Sequence, residues 1–165
     1  MTLIMIEGID RCGKTTAAEL LKESGFEVIH FSAPSKHLSN ADYFASIIRE
    51  ALATYNRNIV WDRTHWGEAV WPIVFHRNPK LTMSQLRLID EILENLHSKD
   101  EVHRFYFHDP DIDALKARLR LFKEDLNESL LEFTMMVYQD FVVKQANWIP
   151  ITFHEIKEKL CPLMK

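Results

Sequence analysis

The sequence predicts an α/β fold: a doubly wound, three-layer α/β/α domain around a five-stranded parallel sheet. Three observations predict it. Short apolar runs alternate with segments whose apolar residues recur every three or four positions. Strands that alternate with helices pair in parallel under cover on both faces, and right-handed crossovers then leave a doubly wound topology. The segment Gly8–Thr15 fits G-x-x-x-x-G-K-[ST] and stands between the first apolar run and the first helical pattern. Finally, 165 residues with no internal repeat, low-complexity tract or Pro/Gly/Ser linker make a single domain, long enough to bury a real core.

Along the chain, Thr2–Glu7 is the first strand. A helix follows from about Lys14 to Ser24, and Gly25 is placed to end it. Phe26–Phe31 is the second strand, closed by Ala33-Pro34. Tyr43, Phe44, Ile47, Ile48, Ala51, Leu52 and Tyr55 mark an amphipathic helix, with Ser39 or Asn40 as its N-cap. Asn58–Trp61 is the third strand and ends at Asp62. After Asn78-Pro79, Leu86, Ile89, Ile92, Leu93 and Leu96 form the stripe of another helix, with Thr82 and Gln85 as its capping box. Val102–Phe107 is the fourth strand. Asp109-Pro110-Asp111 then opens a helix carrying Ile112, Leu115, Leu119 and Phe122. The polar run 123–128 reads as a short mobile loop. Leu130, Thr134, Val137, Tyr138, Phe141 and Val142 share one face of a long helix; Trp148–Phe153 is the last strand, and Ile156 and Leu160 lie on a terminal helix.

Composition narrows the function classes. The chain is 47 % hydrophobic and 27 % charged, ordinary for a soluble globular protein. A net charge of −4 supplies no bulk basic field for nucleic acid, though a local basic groove is compatible with it. No apolar run approaches the roughly 20 residues that span a bilayer. The N-terminus lacks the basic region and cleavage site of a signal peptide. Cys12 and Cys161 stand far apart and read as reduced thiols, which fits a cytoplasmic protein. The histidines show no H-E-x-x-H spacing, and no Ser-His-Asp set or covalent nucleophile stands out.

The motif Gly8-Ile9-Asp10-Arg11-Cys12-Gly13-Lys14-Thr15 carries the chemistry. Its glycines let the backbone curl so that N–H groups face phosphate oxygens, and the following helix adds a positive dipole end. Lys14 then reaches the β- and γ-phosphates of ATP, and the Thr15 hydroxyl ligates Mg²⁺. Cys12 reads as a small spacer. Asp62 ends a buried strand as a Walker-B carboxylate does, and would hold the Mg²⁺ shell or the acceptor site.

On these residues the chain resembles the thymidylate kinases and their relatives among nucleoside monophosphate kinases. The stretch Ile6–Thr16 is similar to that family's phosphate loop almost throughout, and Asp62-Arg63 resembles its Asp-Arg motif after the third strand. The resemblance implies an ATP- and Mg²⁺-dependent enzyme, a homodimer, that phosphorylates dTMP or a related deoxynucleoside monophosphate. It implies that Asp10 contacts the acceptor's sugar region, that Arg11 reaches the phosphoryl group in flight, and that Arg63 clamps the acceptor phosphate. Arg118 and Arg120 fall where the family has its lid, here about residues 116–128, and the helix with Phe133, Tyr138 and Phe141 resembles the one after it. In the family an aromatic stacks on the base and an arginine reads a carbonyl; Tyr43, Phe44 and Arg49 are available for these roles, and Trp66 and Tyr138 for the acceptor pocket. The segment Phe31–Lys36 keeps the family's proline without its usual charged residue, and the stretch after Arg63, Thr64–Trp71, is unusually aromatic.

Bland readings stand beside these. The helical stripe alone explains Tyr43 and Phe44 as core. Trp66 and Trp71 read equally well as core or as pocket wall, His65 as core or as a substrate contact, and Glu68 as a helix cap or a sugar ligand. The alternative function is a P-loop kinase that phosphorylates a hydroxyl of a deoxynucleoside or of a polynucleotide, with Asp10 or Asp62 taking the proton; only there does nucleic acid become a partner. A nucleotide-binding switch without an acceptor is a third reading, and the sequence lacks the N-K-x-D element of GTP-specific switches.

Overall fold

Five parallel strands, β1 (Leu3–Gly8), β2 (Glu27–His30), β3 (Ile59–Asp62), β4 (Val102–Phe107) and β5 (Ile149–Ile151), form one sheet in the order β2-β3-β1-β4-β5. The structure is a computed structural model and describes residues 1–122 and 128–164. β1 and β3 are buried at every position, as the continuous apolar runs of a doubly covered sheet require. β5 sits at the edge, where Pro150 removes no needed ladder hydrogen bond.

The helices are α1 (Lys14–Glu23), α2 (Asn40–Ala53), α3 (Gly67–Val74), α4 (Met83–His97), α5 (Ile112–Phe122), α6 (Glu128–Tyr138), α7 (Lys144–Ala146) and α8 (Ile156–Leu160). From β1 the chain crosses to β2 on one side; from β3 it crosses back past β1 to β4. Right-handed crossovers therefore put α1 on one face and α2 through α7 on the other. The packing follows: α1 contacts α8, α2 contacts α4, and α3 contacts α6. The reversal opens a crevice at the carboxyl ends of β1 and β3. Gly8–Thr15 and Asp62-Arg63 leave the sheet there.

The caps are where the sequence places them. Ser39 Oγ accepts from Asp42 N at 3.1 Å, and Thr82 with Gln85 closes a capping box. Four features differ from expectation. The second and fifth strands are shorter than the apolar runs that announce them. The long final helix is interrupted by a π-helical segment at Gln139–Val143 before α7. An extra helix, α3, carries Pro72 in its interior, a combination that hides a helix from pattern reading. Finally, the lid candidate at 116–128 is only partly visible: α5 covers its first half, and 123–127 lie outside the described residues. Among the described residues, no helix is long and apolar enough to cross a membrane.

Candidate active site

The phosphate loop leaves β1 at Gly8, whose φ is +137°. A Cβ there would stand 2.1 Å from the Phe107 carbonyl oxygen on β4, so only glycine fits. Gly13, at φ +98°, is the N-cap of α1. Lys14 is 7 % exposed; its ammonium donates to the carbonyls of Gly8 at 2.8 Å and Ile9 at 2.6 Å and lies 3.7 Å from Asp10 Oδ1. Cys12 is buried, and burial pushes its thiol up to about 11, so it stays neutral and packs as a spacer. Arg118, from α5, donates Nη1 to the Arg11 carbonyl at 3.1 Å and pairs through Nη2 with Asp109. Burial raises the Asp109 carboxyl, but the Arg118 hydrogen bond, the Asp111 N–H and the Arg118 charge outweigh it and hold it below the ordinary range. Around the loop lies a cavity of about 440 Å³, which we call the donor cavity, lined among others by Arg11, Thr15, Thr16, Asp62, Arg118 and Phe153.

The end of β3 forms the opposite wall. Asp62 Oδ2 is 2.9 Å from His30 Nδ1, while Oδ1 is buried with no hydrogen-bond partner. A carboxylate with an orphaned oxygen, on a residue that lines the cavity of a hydroxyl-bearing phosphate loop, has the donor chemistry of a hard-cation ligand. Thr15 and Asp62 line the same cavity, so the residues present fit Mg²⁺. No cluster of three or more His, Cys, Asp or Glu able to hold a metal exists among the described residues. Arg63 follows at φ +60°, its N–H on the Ile6 carbonyl at 3.0 Å and its Nη2 on Asp10 Oδ1 at 3.0 Å.

Beyond Arg63 lies a second cavity of about 270 Å³, the acceptor cavity. Phe31, Trp71 and Phe75 are its aromatic walls, and Trp71 stacks on Phe75 at 5.6 Å between centroids. Arg77 forks onto Glu68 at 2.5 and 3.2 Å, and Glu68 also accepts from Lys80 N at 2.7 Å. Glu7 is buried; it accepts from Thr64 N at 2.5 Å, Thr64 Oγ1 at 3.0 Å and Tyr138 Oη at 3.1 Å. Burial pushes its carboxyl up, against the pull of those donors and of Lys14. Asp10 and Arg63 line both cavities.

The structure gathers Gly13, Lys14, Thr15, Thr16, Asp10, Arg11, Asp62, Arg63 and Arg118 at the two cavities. Gly8, Ile9 and Cys12 shape the loop without lining either cavity, and four candidates from outside the loop reach no cavity wall. Trp66 is 1 % exposed and gives its indole N–H to Asp90 Oδ2 at 3.0 Å, because α3 turns it toward α4. Phe44 packs half-buried on the core, and Arg49 is exposed on α2; neither lines a cavity, since one turn of α2 brings only Tyr43 inward. Tyr138 is fully buried and meets the site through Glu7 and an edge contact to Trp71 at 5.8 Å. Sequence reasoning left out Glu7, Phe31, Phe75 and Arg77. The signal for Glu7 was a carboxylate inside an apolar strand; Arg77 follows α3, which pattern reading missed.

No protein-family model matches the chain, and a search of curated sequences finds no match. Solved structures do resemble it. The YorR protein of Bacillus subtilis, in complex with phosphorylated GDP, is 24 % identical with a TM-score of 0.74, over 98 % of this chain and 95 % of that one. Deoxyadenosine kinase from M. mycoides with bound dCTP is 17 % identical, TM-score 0.57, over 98 % of both chains. Thymidylate kinase from Candida albicans is 18 % identical, TM-score 0.56, over 99 % and 90 %. At these identities the likeness is one of fold, that of the P-loop kinases.

Proposed function

We propose that this protein is a P-loop kinase that transfers the γ-phosphoryl group of ATP to a small acceptor, dTMP or a related deoxynucleoside monophosphate, held in the aromatic cavity behind Arg63. One observation carries the reading: the phosphate-loop cavity and the aromatic cavity meet at Asp10 and Arg63, which line both. Transfer needs donor and acceptor oxygens brought into line among cations, with little covalent work for the protein. Lys14 exchanges two loop carbonyls for phosphate oxygens. Arg11 and Arg118 stand on the same wall, where charge develops on the group in flight. Mg²⁺, held by Thr15 and Asp62, would neutralise phosphate charge when bound. An acceptor phosphate oxygen attacks the γ-phosphorus, the bond to the bridging oxygen breaks, and ADP leaves; no proton has to be removed. Arg63 leaves Asp10 for the acceptor phosphate, a cheap exchange for a half-exposed pair (about 0–1 kcal/mol).

A second reading has its own observation. The charged residues lining the acceptor cavity are three carboxylates, Glu7, Asp10 and Glu68, and two arginines, each arginine already paired with a carboxylate of that wall. A wall without surplus positive charge suits a neutral hydroxyl acceptor, with Asp10 at the junction to take its proton.

ADP formation with ATP·Mg²⁺ and each dNMP, each deoxynucleoside and a 5′-hydroxyl oligonucleotide separates the two. Turnover with a monophosphate, cut about 10²–10³-fold by Arg63→Ala, supports the first. Turnover only with hydroxyl acceptors, cut comparably by Asp10→Asn, replaces it with the second. ATP hydrolysis indifferent to every acceptor sinks both.

A further inference from the structure

Around the turn from β3 into α3, Arg63, Thr64 and Gly67 line one wall of the acceptor cavity, and Arg63 does so from a left-handed backbone that its neighbours must enforce. On the cavity side Glu7 holds the Thr64 backbone N–H and hydroxyl. The opposite side is held from outside both cavities. His65 is 0 % exposed, packed edge-on to Trp61 at 5.9 Å, and its Nε2 lies 3.1 Å from Asp90 Oδ1. Trp66 gives its indole N–H to Asp90 Oδ2 at 3.0 Å. Asp90, on α4, thus takes consecutive side chains of the loop on its two oxygens. It is steadied by Arg104 of β4, whose Nη2 is 3.5 Å from Asp90 Oδ1 and 2.9 Å from Glu94 Oε1.

We propose that Asp90 is a positioning residue for the acceptor site, fixing the Arg63–Gly67 loop through His65 and Trp66 while leaving the phosphate loop untouched. This rests on the acceptor reading of the aromatic cavity, but its geometry is independent of which acceptor binds. A single carboxylate that spans two adjacent side chains fixes the rotation of the loop as well as its distance from α4, which one hydrogen bond cannot do. Two donors satisfied by one residue also make the site sensitive to a small change: an asparagine there has one acceptor oxygen for two N–H groups. The path to Arg63 is short and covalent, two peptide units from His65.

The test is hydrogen exchange followed by kinetics on the full chain. In Asp90→Asn, backbone amides of residues 63–67 exchange about tenfold faster while those of 8–15 are unchanged. The KM for the acceptor used, dTMP or whichever monophosphate or nucleoside gives turnover, rises about tenfold and the KM for ATP stays within about twofold. Glu94→Gln, which loosens Arg104 without touching the loop, is the control: it lowers Tm and leaves both KM values in place. If Asp90→Asn does not fold, Trp66→Phe removes one of the two bonds and gives the same pattern at smaller size. Unchanged exchange at 63–67, equal rises in both KM values, or the same acceptor effect from Glu94→Gln overturns the proposal. Faster exchange at 63–67 in a protein with no acceptor turnover at all leaves Asp90 as the loop's anchor and removes the acceptor reading instead.

Discussion

The donor cavity and the acceptor cavity share two residues and are built in opposite ways. More than half of the donor side's lining comes from one stretch of chain, Asp10 to Thr16; the rest is His30 of β2, Asp62 and Arg63 at the end of β3, Arg118 of α5 and Phe153 after β5. Its shape is backbone shape: two glycines at positive φ and a helix start. The acceptor side is assembled from the end of β1, the loop after β2, Tyr43 of α2, the β3–α3 loop, α3 and Arg77 beyond it. Its shape is side-chain shape, and each wall depends on how a separate element packs. A site encoded locally survives as a motif; a site encoded by packing exists only once the fold does.

If that contrast is right, damage on the donor side destroys turnover whatever the acceptor, and damage on the acceptor side changes KM for the acceptor alone. The largest effect falls on Lys14. Lys14→Met lowers kcat about 10²–10³-fold with every acceptor, measured as ADP release, while the fold persists by circular dichroism. Retained turnover would mean that the loop binds phosphate without taking part in transfer.

A smaller, sharper effect separates two aromatics. Trp71→Ala opens the acceptor cavity and raises acceptor KM about tenfold or more, with ATP KM within about twofold. Phe44→Ala, half-buried on α2 and outside both cavities, lowers stability by about 1–3 kcal/mol in a urea titration without that KM shift. The reverse result would return Phe44 to the acceptor wall.

The smallest effect is a pH slope. Burial raises the Glu7 carboxyl above its unfolded value of 4.5, so the folded chain binds more protons there than the unfolded one. Its contribution is complete below the unfolded pKa and is lost as pH rises through the folded pKa. Asp90 has the opposite sign: burial raises it, but His65, Arg104 and Trp66 outweigh burial and lower it, so its contribution is present above 3.8 and lost on acidification. Glu7→Gln removes the first slope only. The variant's Tm therefore gains on the wild type as pH rises above 4.5, and a difference that stays constant with pH would show that Glu7 ionises as freely folded as unfolded.

How much of this was legible follows the same division. The strand–helix alternation, the Thr82–Gln85 box, the Ser39 cap and the phosphate loop are local patterns, and pattern reading finds them. The parallel sheet follows from the alternation by handedness. Trp66 and Trp71 are five residues apart and equally aromatic; only the start of α3 decides that the first turns to Asp90 and the second to the cavity. α3 itself was invisible because Pro72 and the bulky run around it match no helical template. Phe44 follows Tyr43 by one position, which on a helix is a rotation of about 100°, enough to leave the buried cavity wall for a half-buried place outside it. The Asp10–Arg63 pair joins residues 53 apart in sequence, a relation that only the register Ile6 to Asp62 creates.

Arg63 has a consequence for anyone selecting variants of this protein. Its φ of +60° is a conformation that costs an ordinary side chain about 1–2 kcal/mol and glycine almost nothing. The ion pair it makes with Asp10 is half-exposed and returns little of that. A library screened for heat tolerance alone will therefore drift toward glycine at position 63, and under the proposed role of Arg63 its most robust winners lose turnover. Screening must reward turnover and robustness together, because at this residue the two quantities pull the codon in opposite directions.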